Sequence, residues 1–360
     1  MKQLKICYIS NSMSPHTHKW IKYFADRGHK IELLYLKPPG SGRIQLLKEG
    51  LRIKKYIQKI KPDILHSHQV DIYGWLGAFI NFHPFIISPW GGDILSEQKV
   101  FKTPFRRIVE SMLASYALKK ADVIAVHSNY LSKAVARLGF GKKTHLIKWG
   151  INLSRFTSGL DASFLRKKLS LGDSPVVLSL RRFAPLYNID TLIRAIPLVL
   201  QKIPEVKFIL KDTGDAVPAY KESLKLLIEK LGVSEAIRFA GECSYNEIPL
   251  YFNLADIFVS IPSSDGMPLS VQEGMASGAI PVISDLEALK ELITDGENGL
   301  VVPIGDEEAL AKAIIYLLSN PELREKIKVK NRLLIEKSYD QNKEMARMER
   351  LYEKLAGANR

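Results

Sequence analysis

Ser263-Ser-Asp-Gly-Met-Pro-Leu-Ser-Val-Gln-Glu-Gly-Met-Ala-Ser-Gly278 is the stretch on which the reading of this chain turns. One apolar run, Ala255 to Ile261, precedes it and another, Ile280 to Ser284, follows; both read as buried strands with a single short helix between them. Pro268 suits the first helical position, where a missing amide proton costs nothing, and Gly278 suits the left-handed residue that ends a helix. This layout predicts free backbone amides and the positive end of a helix dipole just after Asp265-Gly266, where glycine leaves the backbone open to approach. It is a place for an anion, and phosphate fits best.

Two carboxylates flank that place, Asp265 before the helix and Glu273 inside it. Like charges a few Å apart repel strongly in a partly desolvated cleft, so these acids must serve another part of the same ligand. An ionised carboxylate accepts from two neighbouring hydroxyls at once, which suits a ribose diol or a second sugar. The ligand so described is a sugar, a diphosphate and a nucleoside in a row. The alternative is an ordinary strand-turn-helix crossover with no ligand at all.

The stretch resembles the acid-x7-acid signature of the family 4 retaining glycosyltransferases (glycosyl transferases group 1), usually worded Glu-Gly-Phe-Pro and then Glu-Ala-Met-Ala-x-Gly. Here Asp265 takes the first acid's place, Met267 that of Phe and Gly274 that of Ala, while Glu273, Met275 and Ala276 are kept. The resemblance implies the GT-B fold, an α/β architecture of two Rossmann-like parallel-sheet domains facing a central cleft. It implies a nucleotide diphosphate sugar as donor substrate, no cofactor and no metal. Gly266, Met267, Pro268, Leu269, Ser270 and Glu273 then belong to the donor site, with Asp265 and Glu273 carrying the chemistry.

The 360 residues are enough for two domains with sizeable cores. Residues 1 to 155 hold 26 Lys and Arg against 9 Asp and Glu, whereas residues 156 to 360 hold 26 against 29, so the basic excess of +14 lies entirely in the first half. Such a half attracts an acidic membrane leaflet, a phosphorylated lipid or polysaccharide, or nucleic acid, of which the last is not the expected partner. Lys148-Trp-Gly-Ile-Asn-Leu-Ser-Arg-Phe156 resembles the segment at which GT-B chains pass between domains, and the charge balance changes at the same place. The expected division is therefore 1–155 for an acceptor domain, 156–335 for a donor domain and 336–360 for a terminal helix crossing back to the first.

Two cysteines, Cys7 and Cys243, make no disulfide framework. No signal peptide and no apolar run of about 20 residues is visible, which leads to the expectation of a cytoplasmic protein, at most peripheral on the membrane. Gly-x-Gly-x-x-Gly, Gly-x4-Gly-Lys and Asp-x-Asp are all absent, which argues against dinucleotide redox chemistry, Walker-type phosphate chemistry and a metal-bound diphosphate.

In the first half, Lys5 to Ser10, a loop, a helix from about His18 and Ile31 to Leu36 form a βαβ unit, whose loop should open at the carboxyl edge of a parallel sheet. By resemblance this loop faces the acceptor, making His16 a candidate there. Further strands are read at Asp63 to His66, Phe85 to Pro89 and Asp122 to His127. The loop after Ser88-Pro-Trp90 carries Asp93; where the family often has a His, this chain has Trp90, so Asp93 and His127 are the nearest polar candidates and Asp93 a candidate catalytic residue. Arg43 to Lys61 and Lys102-Thr-Pro-Phe-Arg-Arg-Ile108 look like basic surfaces suited to anionic lipid. The alternative, favoured for Arg43 to Lys61, is a crossover helix with its apolar side on the sheet.

In the second half, strands are read at Val176 to Leu180, Val206 to Leu210, Ile237 to Ala240, Ile257 to Ile261, Pro281 to Ser284 and Leu300 to Val302. After the first comes Arg181-Arg-Phe-Ala-Pro-Leu-Tyr-Asn188. The family has an Arg and, five residues later, a Lys on the donor diphosphate; Arg182 matches the first, and Tyr187 stands where the Lys is usual. Arg181 and Asn188 are further donor-site candidates, as is Gly214 in the turn Lys211-Asp-Thr-Gly-Asp-Ala216. Fixed cations aimed at a leaving diphosphate are commonly the largest catalytic term. Two other enzyme readings stay open, a GT-B phosphorylase and a nucleotide-sugar epimerase, as does a non-catalytic basic protein binding membranes or polyanions on the same scaffold.

Overall fold

The structure, a computed structural model, describes residues 3–10, 15–35, 43–94, 104–211, 216–241 and 244–358. Gly214, Cys243, Lys102 and the residues 11–14 of the first loop lie outside that set. The chain divides into two compact units, residues 1–149 with 342–360, and residues 150–341.

The first unit runs β1 (Lys5–Ile9), α1 (Pro15–Asp26), β2 (Lys30–Leu34), α2 (Arg43–Ile60), β3 (Ile64–His68), α3 (Ile72–Ile80), β4 (Phe85–Ser88), α4 (Pro104–Lys120), β5 (Val123–Val126), α5 (Asn129–Arg137) and β6 (Thr144–Leu146). Its strands pair in parallel in the order β2-β1-β3-β4-β5-β6. Near-continuous apolar runs such as Ile-Cys-Tyr-Ile and Phe-Ile-Ile are what a sheet covered on both faces requires. Ile53 and Ile57 of α2, Leu76 of α3, Leu118 of α4 and Leu131 of α5 build the core on one face. Trp20 and Phe24 of α1 build the other together with Met345, Met348 and Tyr352 of the last helix, α13 (Gln341–Ala358).

Polar contacts fix α13 in place. Tyr352 Oη lies 2.5 Å from His66 Nδ1 and 3.1 Å from Tyr8 Oη, and His66 Nε2 lies 2.8 Å from Ser88 Oγ. Burial holds His66 well below its ordinary pKa, with His68 adding to the effect, so the ring is neutral. Leu4 N–H donates to His29 Nδ1 at 3.1 Å, which leaves the ring proton on Nε2 to donate to Glu349 at 2.9 Å. Burial pushes Glu349 upward, but hydrogen bonds from Arg27 and His29 outweigh it and hold the carboxylate low.

The second unit contains α6 (Ser163–Lys168), β7 (Val176–Ser179), α7 (Ile189–Leu200), β8 (Lys207–Leu210), α8 (Pro218–Leu231), β9 (Ile237–Phe239), α9 (Ile248–Leu254), β10 (Ile257–Ser260), α10 (Leu269–Ser277), β11 (Ile280–Ser284), β12 (Leu300–Val302), α11 (Glu307–Leu318) and α12 (Pro321–Ser338). Its parallel order is β12-β11-β10-β7-β8-β9. One core cluster contains Ile193, Phe208 and Ile314, the other Phe252, Phe258 and Val271.

The observed boundaries fall at Trp149–Gly150 and Gln341–Asn342, six residues before and six after the expected ones. Ile151 N–H donates to Tyr339 O and Gln341 N–H to Ile151 O, and Ile151, Phe156 and Tyr339 all lie in a core of the second unit. Gly150, at φ +66°, allows this join: a Cβ there would lie 2.5 Å from Gln341 Cα. The strand β6 was not anticipated, since three residues carry little pattern. Ile53 and Ile57 of α2 are buried while Arg52, Lys55 and Lys59 are exposed, in keeping with the crossover reading, but Leu51, expected on the packed side, is exposed.

Candidate functional site

In the second unit, β10 and β7 are neighbours, so the loops leaving their carboxyl ends meet. Ser263 N–H donates to Leu186 O at 2.8 Å. Asn188, left-handed at φ +51°, ends the short 3-10 turn Pro185–Tyr187 and begins α7; its Nδ2 donates to Ile261 O at 2.8 Å and to Ser263 Oγ at 2.9 Å. Asn188 thus braces the two loops together.

Between these loops lies the charged centre. Arg181 Nη2 donates to Asp265 Oδ2 at 2.5 Å, with the two side chains only 11% and 18% exposed. Arg181 sits 4.4 Å above the Tyr187 ring and Arg182 5.7 Å from it, so the aromatic in the usual Lys position carries both guanidinium groups on its ring. A carboxylate beside an anion site is tolerable here because Arg181 neutralises Asp265. The buried Nε of Arg181 has no hydrogen-bond partner among the described residues, nor do the buried Ser264 Oγ and Gln272 Oε1. Buried polar atoms left open in this way are what a ligand's oxygens and hydroxyls would satisfy.

The helix α10 begins at Leu269, with Pro268 as its N-cap at ψ +125°, so Pro268 sits one place before the expected position. Gly278, at φ +93°, ends it as expected. Gly266 N–H is not free: it donates to Asp265 Oδ1 at 2.7 Å. The amides available to an anion are therefore those of the first helical turn, at Leu269 and Ser270, which have no acceptor four residues back. The Met267 side chain is buried in the core beside Val271 and Met275, so only its backbone faces a ligand. Glu273, 7% exposed, accepts from Tyr245 Oη at 2.8 Å. Arg155 stacks on the Tyr245 ring at 4.0 Å and donates to its carbonyl. Burial, with Glu273 beside it, pushes the Tyr245 hydroxyl far up, so it remains a proton donor.

The carboxyl edge of the first sheet is built differently. His127 and Trp149 stack with centroids 4.6 Å apart, Trp90 meets Trp149 edge-on at 5.3 Å, and His68 lies 5.9 Å from Trp90. Ser10 Oγ lies 2.7 Å from Thr17 Oγ1, itself 3.4 Å from His68 Nδ1. Trp90 and His127, both named above as acceptor candidates, each pack on the Trp149 ring. His16 stands in the first turn of α1. Asp93 has another role: its carboxylate accepts from the amides of Val70 (2.7 Å), Trp90 (3.0 Å) and Gly91 (2.9 Å) and holds the loop. Burial raises its pKa despite those bonds. With three backbone donors on its oxygens, the Asp93 carboxylate is committed to holding this loop, a structural role that the sequence reading did not include.

Residues 161–333 match the family model described as Glycosyl transferases group 1, and residues 5–128 match that described as Glycosyl transferase 4-like. The GDP-mannose-dependent alpha-(1-6)-phosphatidylinositol monomannoside mannosyltransferase of Mycolicibacterium smegmatis is 30% identical over 274 residues, 72% of this chain and 70% of that protein. The lipopolysaccharide core biosynthesis glycosyltransferase LpsE of Rhizobium meliloti is 30% identical over 280 residues, 77% and 72%. The chain belongs to the group 1 glycosyltransferases. A 33% match to a putative glycosyltransferase of Bacillus subtilis spans about half of each protein, 52% of this chain and 48% of that one. Among solved structures, sucrose-phosphate synthase from Thermosynechococcus elongatus superposes with a TM-score of 0.84 at 21% identity, covering 99% of this chain and all of that one. Anabaena HepE in complex with UDP-glucose gives 0.83 at 20%, covering 98% and 100%. These establish the GT-B fold.

Sequence reasoning missed one side chain, His68, and two pairings, those of Arg181 and Tyr245, in this glycosyltransferase. The sequence pattern ends β3 at His66, whereas the strand continues to His68. Arg181, rather than Arg182, pairs with Asp265. Tyr245 on Glu273 is a contact across 28 residues that no local pattern announces. The Gly274 departure has a packing cause: a Cβ there would lie 3.1 Å from the Phe252 ring.

Proposed function

We propose that this protein is a retaining, metal-independent glycosyltransferase that binds a nucleotide diphosphate sugar on its second unit and a lipid-linked or other glycan acceptor on its first. The observation that carries the reading is the Arg181–Asp265 pair, beside the first turn of α10 and with Glu273 inside the same helix. Arg182 and the α10 dipole supply fixed positive charge for a diphosphate, Arg181 cancels the charge of Asp265 and keeps an open Nε–H, and Glu273 supplies an acceptor for sugar or ribose hydroxyls. In the transfer, the bond from the anomeric carbon to the phosphate oxygen breaks as the acceptor oxygen bonds on the same face. The acceptor proton passes to the departing phosphate. Negative charge grows on that phosphate in the transition state, where preorganised cations matter most.

The lipid-linked acceptor is favoured by the relatives whose names specify phosphatidylinositol mannosides and lipopolysaccharide core. The basic first half, with its 26 Lys and Arg against 9 acids, suits an anionic membrane surface on the inner side of a cell. The test is turnover of a panel of nucleotide diphosphate sugars with lipid and glycan acceptors, with and without a chelator, following the anomeric configuration of the product by NMR. A product with the donor's configuration, formed equally with chelator, is expected. Inversion, or loss of turnover on chelation, contradicts the corresponding part. Release of a sugar phosphate would mark a phosphorylase, and conversion of donor without acceptor an epimerase.

A further inference from the structure

The helix α4 carries apolar side chains on both of its faces. Ala114, Ala117 and Leu118 are buried in the core of the first unit. On the other side Ile108, Val109, Met112, Leu113 and Tyr116 face solvent, with Ile108 60% and Met112 67% exposed. Spacings of three and four place these five side chains on one face over more than two turns. Single exposed apolar residues need no explanation, but an apolar face of this length marks a contact surface.

The charge around it identifies the occupant. Lys119 is exposed in the last turn of α4, and Arg106 and Arg107 stand in its first turn. On the same side of the sheet, α2 exposes Arg52, Lys55 and Lys59 together with Leu51. Between α2 and α4, α3 adds the stacked, half-buried pair Trp75 and Phe79, whose centroids are 5.4 Å apart. Exposed apolar side chains with lysine on the same helix and lysine and arginine on α2, in the half of the chain that holds all the excess positive charge, complement an apolar layer under an anionic surface.

We propose that the outer face of α4 is the membrane-docking element of the first unit, and that its partner is an anionic lipid bilayer. This rests on the membrane part of the reading above and not on the donor site. The apolar face enters the headgroup boundary, while the basic residues provide a salt-sensitive attraction that acts over a Debye length.

The experiment is flotation of the full-length protein with phosphatidylglycerol-containing vesicles and with pure phosphatidylcholine vesicles, at low and high salt. The test variant is Ile108→Glu with Met112→Glu, both at exposed positions, and Lys119→Glu is run separately. The protein should float with the anionic vesicles alone, about tenfold less in the double variant, and more weakly in Lys119→Glu or at high salt. Absence of flotation, or flotation unchanged by the double variant, overturns the proposal. A concentration-dependent dimer that the double variant abolishes, without flotation, assigns the face to a second copy and likewise overturns it. Glu273→Ala should float normally, so failure of the donor-site reading would leave this result standing, and the reverse holds for the double variant's response to donor.

Discussion

The two sheets end in different chemistry at their carboxyl edges. The second gathers paired charges, Arg181 with Asp265, Arg182 beside Tyr187, and Glu273 under Tyr245. The first gathers rings, His68, Trp90, Trp149 and His127, and there the acid Asp93 holds the backbone. Fixed charges grip a small charged group wherever it is presented, whereas ring faces and edges select a shape. On the function proposed above, the charged edge of the second unit suits the phosphate-bearing donor and the ring-lined edge of the first suits the acceptor.

The strongest way to break that contrast is Arg181→Ala. Removing one partner of a largely buried ion pair leaves Asp265 uncompensated, so the second unit should lose about 3 kcal/mol in denaturant unfolding. Adding Asp265→Ala should restore part of that loss; strict additivity would mean the two side chains are not coupled.

Acid should reveal the first unit's separate weakness. His66 is held neutral well below its usual 6.5, so the unfolded chain binds a proton that the folded one refuses once the pH drops below that value. Stability from this group is complete above pH 6.5 and falls by up to about 1.4 kcal/mol per pH unit below it. Glu349, held below its ordinary value, adds a loss at lower pH, as the solution falls through its folded pKa. Chemical denaturation of His66→Gln between neutral and mildly acidic pH should show a flatter profile than the unaltered protein; an identical slope would remove His66 from the account.

Asp93→Ala should cost about 2 kcal/mol by stranding the amides of Val70, Trp90 and Gly91. A mutant of unchanged melting temperature but lost turnover would reinstate Asp93 as a catalytic group. The smallest effect is expected of Gly274→Ala, whose methyl would press on Phe252 while gaining about 1 kcal/mol of helix propensity: the two offset, so thermal unfolding and donor affinity should both change little.

Much of this was readable in the residues because most of the strands are apolar runs and α10 ends in glycine. Tyr187 stood out in the sequence as a departure, but its use as a ring beneath two arginines appears only when the loop is folded. Arg181 and Arg182 are adjacent residues of the same type, so matching alone could not tell which of them reaches Asp265. His68 escaped because polar side chains at the end of a buried strand interrupt the apolar signal. The role of Asp93 escaped because backbone amides leave no mark in a sequence.

The central claim, that Arg181, Asp265, Glu273 and the start of α10 hold a nucleotide diphosphate sugar, is tested most directly by thermal shift against a panel of such donors, with Glu273→Ala as control. A ligand that binds only the folded protein stabilises it by about 2.7 kcal/mol at a hundredfold excess over Kd. A shift with one donor that disappears in Glu273→Ala is the predicted result. No shift with any donor, or a shift that the substitution leaves intact, would contradict the site.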